Sequence, residues 1–347
     1  MNRRIFFLKD SEINDWLVEG FSKRKINVSF MGLEKSSQML QKSRITRILS
    51  LHVKYLKLAI RSIIKSKYED IIICFLDNIG LYVFFLSKVL FIRRRIIVIN
   101  IMFNNYPDVI TKIKKYLYRL MLKDSYIYPT VTSSDLPAIY RNIFNLPDKE
   151  FYLLHDCYGK LSKYKQPFCE GNNYVFCGGT NGRDYKSLLK IAGLLPHIRF
   201  VIVGPKKNTL GEEYPSNIEY HYNIEFHLFQ DLIHNCSILA LPLKTQAPAG
   251  LIVLFTAGLM SKPVITSDTP TMREYIIQGE HGILVETGDT INFASEIGLL
   301  LDDTKKQRRM GENLFKKIDT SCSPDAFIEK MLEIINHIEH HENTSNK

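Results

Sequence analysis

The segment Cys177-Gly178-Gly179-Thr180-Asn181-Gly182-Arg183-Asp184-Tyr185 places glycines ahead of an arginine, where an apolar run gives way to a helical pattern. Glycine lets the backbone approach an anionic group closely, and arginine offers a fixed bidentate charge, so this segment can seat a phosphate. An ordinary turn with Asp184 capping the next helix uses the same residues. Ala247-Pro248-Ala249-Gly250-Leu251 is a second candidate, following the apolar run Ile238 to Leu243 and opening a helical segment, Gly250 to Met260. Unpaired N–H groups at a helix N-terminus favour anions, although close packing of helix on sheet asks for the same small residues. In the first half, Asp77, Asn104, Asn105 and the pair His155-Asp156 follow apolar runs and offer groups that could move a proton. Turns and caps use the same residue types.

Metal and disulfide chemistry have little support. The six cysteines form no C-x-x-C pair and have no histidine at zinc spacing, and no Asp-x-Asp occurs. The expectation is no metal, no resident cofactor, and reduced thiols of a cytosolic protein.

Positioning these groups takes two runs of alternating strands and helices. In the first half, strands are expected at Arg4–Leu8, Ile26–Met31, Asp70–Leu76, Arg95–Met102, Tyr126–Val131 and Phe151–Leu154. Helices are expected at 12–23, 48–67, 79–92, 108–122 and 136–144. Continuously apolar strands have both faces covered, which points to a parallel α/β sheet. The polar stretch 159–173 breaks the pattern, and the alternation restarts at Tyr174. It continues through strands near 199–203, 218–221, 238–241, 263–267 and 282–285, and ends in two helices near 291–318 and 324–340. The expected organisation is a basic domain over 1–160, a linker over 161–172, a second domain over 173–320, a C-terminal helix over 321–341 packing back on the first domain, and a disordered tail over 342–347.

From Gly250 the sequence reads GLIVLFTAGLMSKPVITSD, then REYI, then QGEHGILVETGD. This order resembles the nucleotide-sugar half of GT-B glycosyltransferases, the group 1 type found among sucrose-synthase-like and bacterial polysaccharide enzymes. The likeness is good over 174–300 and extends to the first half only in layout. It implies two Rossmann-like domains in tandem, with the donor site in the interdomain cleft. Arg183 falls on the family's diphosphate-binding lysine, and Gly178 stands where the family has a further arginine. Gly178 and Gly179 belong to the family's first glycine-rich loop, Gly250 and Leu251 to the turn whose amides hold the distal phosphate, and Glu274 to the glutamate after Pro-Val-Ile. The family's Glu-x7-Glu pair is missing: Thr256 takes the ribose-binding place, and Pro248 or Ala247 the other. A threonine offers the ribose less than a carboxylate does.

The resemblance implies transfer of a sugar from a UDP- or GDP-sugar to a glycan acceptor, lipid-linked in surface polysaccharide or glycolipid assembly, without a metal and with retention by analogy. Arg183 is the expected stabiliser of the leaving diphosphate. Two rival classes stand beside it: a catalytically silent GT-B subunit, suggested by the missing carboxylates, and a basic nucleic-acid-binding protein, suggested by charge alone.

The 347 residues carry a net charge of +10, unevenly placed: residues 1–165 hold 29 Lys and Arg against 14 Asp and Glu, and residues 166–347 hold 17 against 22. The first half therefore faces an anionic partner. No nucleic-acid motif occurs. An anionic membrane surface met through residues 48–67, 93–95 and 112–123 is the expectation, with the protein cytoplasmic and peripheral on the inner face of the membrane. The apolar segment 79–92 is too short to cross a bilayer, and the N-terminal apolar run is too short for a signal peptide.

Overall fold

A computed structural model describes residues 4–33, 44–206, 214–245 and 247–345. The chain divides into two compact units: Met1–His155 with Phe327–Lys347, and Asp156–Ala326. Each holds a six-stranded parallel sheet, so the architecture is two Rossmann-like units in tandem.

In the first unit the sheet order is β2-β1-β3-β4-β5-β6, from β1 (Ile5–Lys9), β2 (Val28–Gly32), β3 (Ile71–Phe75), β4 (Arg95–Val98), β5 (Ile127–Val131) and β6 (Tyr152–Leu153). The chain steps one way from β1 to β2 and the other way from β2 onward. Right-handed crossovers then put α1 (Asp15–Lys23) on one face and α2 (Arg44–Lys65), α3 (Asp77–Val89), α4 (Val109–Lys123) and α5 (Leu136–Phe144) on the other. The side chains divide accordingly. Ile72, Cys74, Ile96 and Val98 face the α2–α5 layer with Tyr55, Val83, Met121 and Tyr140. Phe7 packs against Phe21, Phe30 and Phe75. Phe75 meets Phe327 of α12 (Pro324–Ser345), and Trp16 of α1 meets the same ring edge-on.

The second unit has order β12-β11-β10-β7-β8-β9, from β7 (Tyr174–Gly178), β8 (Arg199–Gly204), β9 (Ile218–Tyr222), β10 (Ile238–Leu241), β11 (Val264–Ser267) and β12 (Ile283–Val285). Tyr174 and Phe176 of β7 enter one core with α8 (Leu251–Leu259), while Val175 and Cys177 enter the other with α6 (Tyr185–Leu194) and α10 (Thr290–Leu301). The remaining helices are α7 (Phe226–His234), α9 (Pro270–Tyr275) and α11 (Thr304–Ser321).

Four expectations need correction. Residues 156–172 group with the second unit: Leu161 is buried, Gln166 N–H donates to Leu259 O, and Lys262 Nζ donates to Cys169 O. The helix expected near 291–318 is two helices, because the Asp303 carboxylate accepts from Lys306 N–H and starts α11 anew. α12 runs on to Ser345, so residues 342–345 are helical, and residues 346–347 lie outside the described residues. In the triplet 93–95 the side chains diverge. Arg95 is buried in β4 and donates to Glu69 O, Arg94 is half-buried and donates to Ser66 O and Oγ, and Arg93 is exposed. Arg94 and Arg95 thus hold the turn before β3.

Candidate active site

In the second unit Arg183 lies in the loop from β7 to α6. The loop is stitched to the segment after β10: Asp184 N–H donates to Pro242 O and Lys244 N–H donates to Gly182 O. Arg183 is 4% exposed. Its Nε donates to Gly178 O at 2.7 Å and its Nη1 to Asn181 O at 3.0 Å. No carboxylate pairs with it among the described residues. Burial pulls its pKa below the ordinary guanidinium value, while Cys177 and Tyr185 oppose the shift. The group still carries its charge at neutral pH.

Two glycines make room for this side chain. A Cβ at Gly179 would lie 2.9 Å from Arg183 Nη2, and one at Gly250 would lie 3.3 Å from Nη1. Both residues have positive φ, +98° and +85°, a conformation that penalises any side chain. The structure thus brings Gly179, Arg183 and Gly250 together. Gly178 and Gly179 do not present their backbones as sequence reasoning expected. Gly178 O is taken by Arg183, Gly179 N–H donates to Val203 O, and Gly179 O accepts from the Tyr185 hydroxyl. They shape the seat and hold the guanidinium.

Of the two helix N-termini singled out in the sequence, one is already filled. The Asp184 carboxylate accepts from Ser187 N–H and from Ser187 Oγ, capping α6. At α8, Gly250 O accepts from Val253 and Leu254 N–H. Among the described residues the Leu251 and Ile252 amides have no backbone acceptor outside the helix, which leaves them as helix-terminal donors beside the guanidinium. Sequence reasoning did not single out Lys244, which is exposed one residue beyond Leu243, the residue bridged to Arg183. Nor did it single out Lys206, which follows β8 and sits over the Tyr222 ring. The neighbouring strands β10, β7 and β8 therefore each lead into a cation at their carboxyl ends, which is where ligands bind open α/β sheets. The signal was available as a basic residue shortly after each apolar run.

Thr256 lies within α8, fully buried, and its hydroxyl donates to Ile252 O at 2.8 Å. In this arrangement it offers no atom to a ligand. Glu274 lies on α9 next to Tyr275, whose hydroxyl accepts from Asp156 N–H. Asp156 in turn accepts from Cys157 N–H, and burial raises its pKa. In the first unit Asp77 is buried. It accepts from Met102 and Asn78 N–H, and burial raises its pKa against these bonds. Tyr140 ties the same loop by donating to Ile101 O, and Asn100 N–H donates to Thr130 Oγ1. Asp77 is thus an anchor for the loop that carries Asn104 and Asn105. His155 closes the first unit. Among the described residues no cluster of three or more His, Cys, Asp or Glu side chains could hold a metal ion, and no helix is long and apolar enough to cross a membrane.

Residues 172–317 match the family described as Glycosyl transferases group 1. The chain has the GT-B fold. Solved structures share this fold at low identity. Sucrose-phosphate synthase from Thermosynechococcus elongatus aligns with TM-score 0.75 and 15% identity over 98% of this chain and 100% of its own. A glycosyltransferase from Rickettsia africae aligns with TM-score 0.65 and 15% identity over 97% and 99%. Anabaena HepE in complex with UDP-glucose aligns with TM-score 0.60 and 13% identity over 97% and 99%. A search of curated proteins finds no match to this chain.

Gly250→Ala tests the seat directly. Alanine at this φ costs about 1–2 kcal/mol, and its Cβ would press on Arg183 Nη1 and on Met272 Cε, 3.0 Å away. Titration with UDP should show affinity lowered by about tenfold or more. Unchanged affinity would remove Gly250 from the site.

Proposed function

We infer that this glycosyltransferase moves a sugar from a nucleoside-diphosphate sugar to a lipid-linked glycan acceptor in surface polysaccharide or glycolipid assembly, with the charge of the leaving group met by protein groups instead of a metal. One observation carries the donor assignment: a buried guanidinium without a carboxylate partner among the described residues, set at the free N-terminus of α8. Burying a charge is costly unless something compensates it, and a diphosphate is the compensating group that fits. HepE was solved with UDP and with UDP-glucose, and TarM from S. aureus with UDP, which supports a UDP-type donor.

The chemistry follows from the leaving group. Breaking the anomeric C–O bond leaves its electron pair on the terminal phosphate oxygen of the nucleotide, while an acceptor hydroxyl oxygen bonds to the anomeric carbon and passes its proton to the departing phosphate. Arg183 and the Leu251 amide meet the negative charge as it grows, in a site where little reorganisation is needed.

A second reading, a GT-B subunit that binds nucleotide without transferring sugar, is favoured by Thr256, whose hydroxyl is internally bonded, and by Pro248 or Ala247 in place of the family's other carboxylate. A thermal-shift panel of UDP, GDP and their sugars, followed by assay of donor consumption with lipid-linked acceptors, separates the two. Stabilisation by one nucleotide series with turnover supports transfer. Stabilisation without turnover supports the silent subunit, and no stabilisation by any nucleotide sinks both.

A further inference from the structure

Helix α2 has two apolar faces. One, with Tyr55, Leu58, Ala59 and Ile63, packs on the first unit's sheet. The other, formed by Leu49, Val53, Leu56, Ile60 and Ile64, is exposed to solvent, Ile64 by 77%. At 3.6 residues per turn these five positions fall within roughly 80° of arc, beside the buried face. Helix α4 repeats the device. Thr111, Tyr118, Met121 and Leu122 are buried, while Val109, Ile113, Tyr116 and Leu120 form an exposed stripe at the same spacing. α3 packs between the two helices on the same side of the sheet, so both stripes belong to one surface. Neither helix contains an Asp or Glu. Lys57 and Arg61 flank the first stripe, and Lys112, Arg119 and Lys123 the second.

We propose that this surface docks in the interface of an anionic phospholipid bilayer, with the two stripes entering the boundary between headgroups and acyl chains. The case rests on charge complementarity and on the pattern within each helix. A protein interface core is depleted in lysine. An interfacial membrane helix instead sets Lys and Arg beside a Leu/Ile/aromatic stripe, as both helices here do. The long basic side chains can lie along the stripe with their charges among the phosphates, and Tyr116 has the amphipathic ring favoured at headgroup level. Of residues 93–95, Arg93 is exposed, Arg94 half-buried and Arg95 buried. It is independent of the donor-site reading, because it concerns the first unit's helices alone.

The test is flotation of the full chain with vesicles of phosphatidylcholine, with and without phosphatidylglycerol, at low and high salt. The wild type should float with the anionic vesicles and much less with phosphatidylcholine alone. Exchanging Lys112, Arg119 and Lys123 for Gln should weaken partition by about fivefold per charge. The variants V53S/L56S/I60S and I113S/Y116S should weaken it by more than tenfold. These side chains are exposed, so thermal midpoint and UDP-induced stabilisation should stay at parental values, which keeps this result separate from the fate of the donor site. A wild type that stays with the soluble fraction at low salt overturns the proposal. So does an Ser-variant that floats like the parent, or a concentration-dependent dimer that the Ser variants dissociate, since the stripes would then cover a second copy of the chain.

Discussion

Arg183→Ala should lower sugar transfer by about 10²- to 10³-fold, the usual loss when one preorganised donor to a developing anion is removed, while the thermal midpoint of the protein moves by only a few degrees. The two effects separate because of how the side chain is held. Its partners are the carbonyls of Gly178 and Asn181. These orient the guanidinium but do not neutralise it, so the native protein gains little from the charge and carries its desolvation. Arg183→Lys is the informative companion. It keeps the charge but loses the planar fork that spans both carbonyls, so it should fall between the parent and the alanine variant. Turnover at saturating donor together with the melting midpoint makes the check. Undiminished turnover would remove Arg183 from the chemistry, and a collapse of the midpoint would make it structural.

The second large effect concerns stability. Gly311→Ala, in the middle of α11, should destabilise the second unit by about 1–3 kcal/mol or more, although alanine in an ordinary helix is better than glycine by about 1 kcal/mol. A Cβ there would land on the Ser261 carbonyl oxygen and 2.6 Å from its carbonyl carbon. Those are backbone atoms of the turn that ends α8, and Ser261 is itself held at φ 53°, so the turn cannot step aside by a side-chain rotation. Gly258 of α8 meets α11 in the same close approach, where an added Cβ would lie 2.9 Å from Ile318 Cγ1. Gly298→Ala in α10, which meets nothing within 4 Å, is the control and should stabilise by up to about 1 kcal/mol. Chemical denaturation of both variants decides the matter: shifts of the same sign would sink the explanation. Because α8 carries the Leu251 amide, a Gly311→Ala protein that still folds should also transfer sugar more slowly.

The sheets were legible because their strands are short, continuously apolar runs, such as Ile71–Phe75 and Phe200–Val203, which suit a layer covered on both sides. The glycine–arginine loop was legible because glycine at positive φ and a lone arginine are local signals. What escaped was decided by geometry between distant residues. Gly311 looks like an ordinary helix glycine until Ser261 is placed against it. Thr256 looks like a weak substitute for a carboxylate until α8 is seen to be buried along almost its whole length. The exposed stripes of α2 and α4 escaped for another reason. An apolar spacing of four, three and four residues is the same on a face that meets a sheet and on one that meets solvent, and periodicity cannot say which. Asp303 was passed over because an aspartate pair inside an apolar pattern reads as a polar patch until its carboxylate is seen capping a helix.

The Arg183 seat has a consequence for selectivity. A side chain with many rotamers surrenders its freedom once, and here it does so as the loop closes between the carbonyls of Gly178 and Asn181. On the proposed donor reading, a diphosphate arriving later would meet a group with little disorder left to lose, so the entropic cost of capture would fall mainly on the ligand. A seat of this kind does not remodel itself around a poor fit. On the proposed donor reading it would discriminate among phosphorylated ligands by the spacing of their oxygen atoms, and tolerance for different sugars would reside in the parts of the protein that do not touch the phosphates.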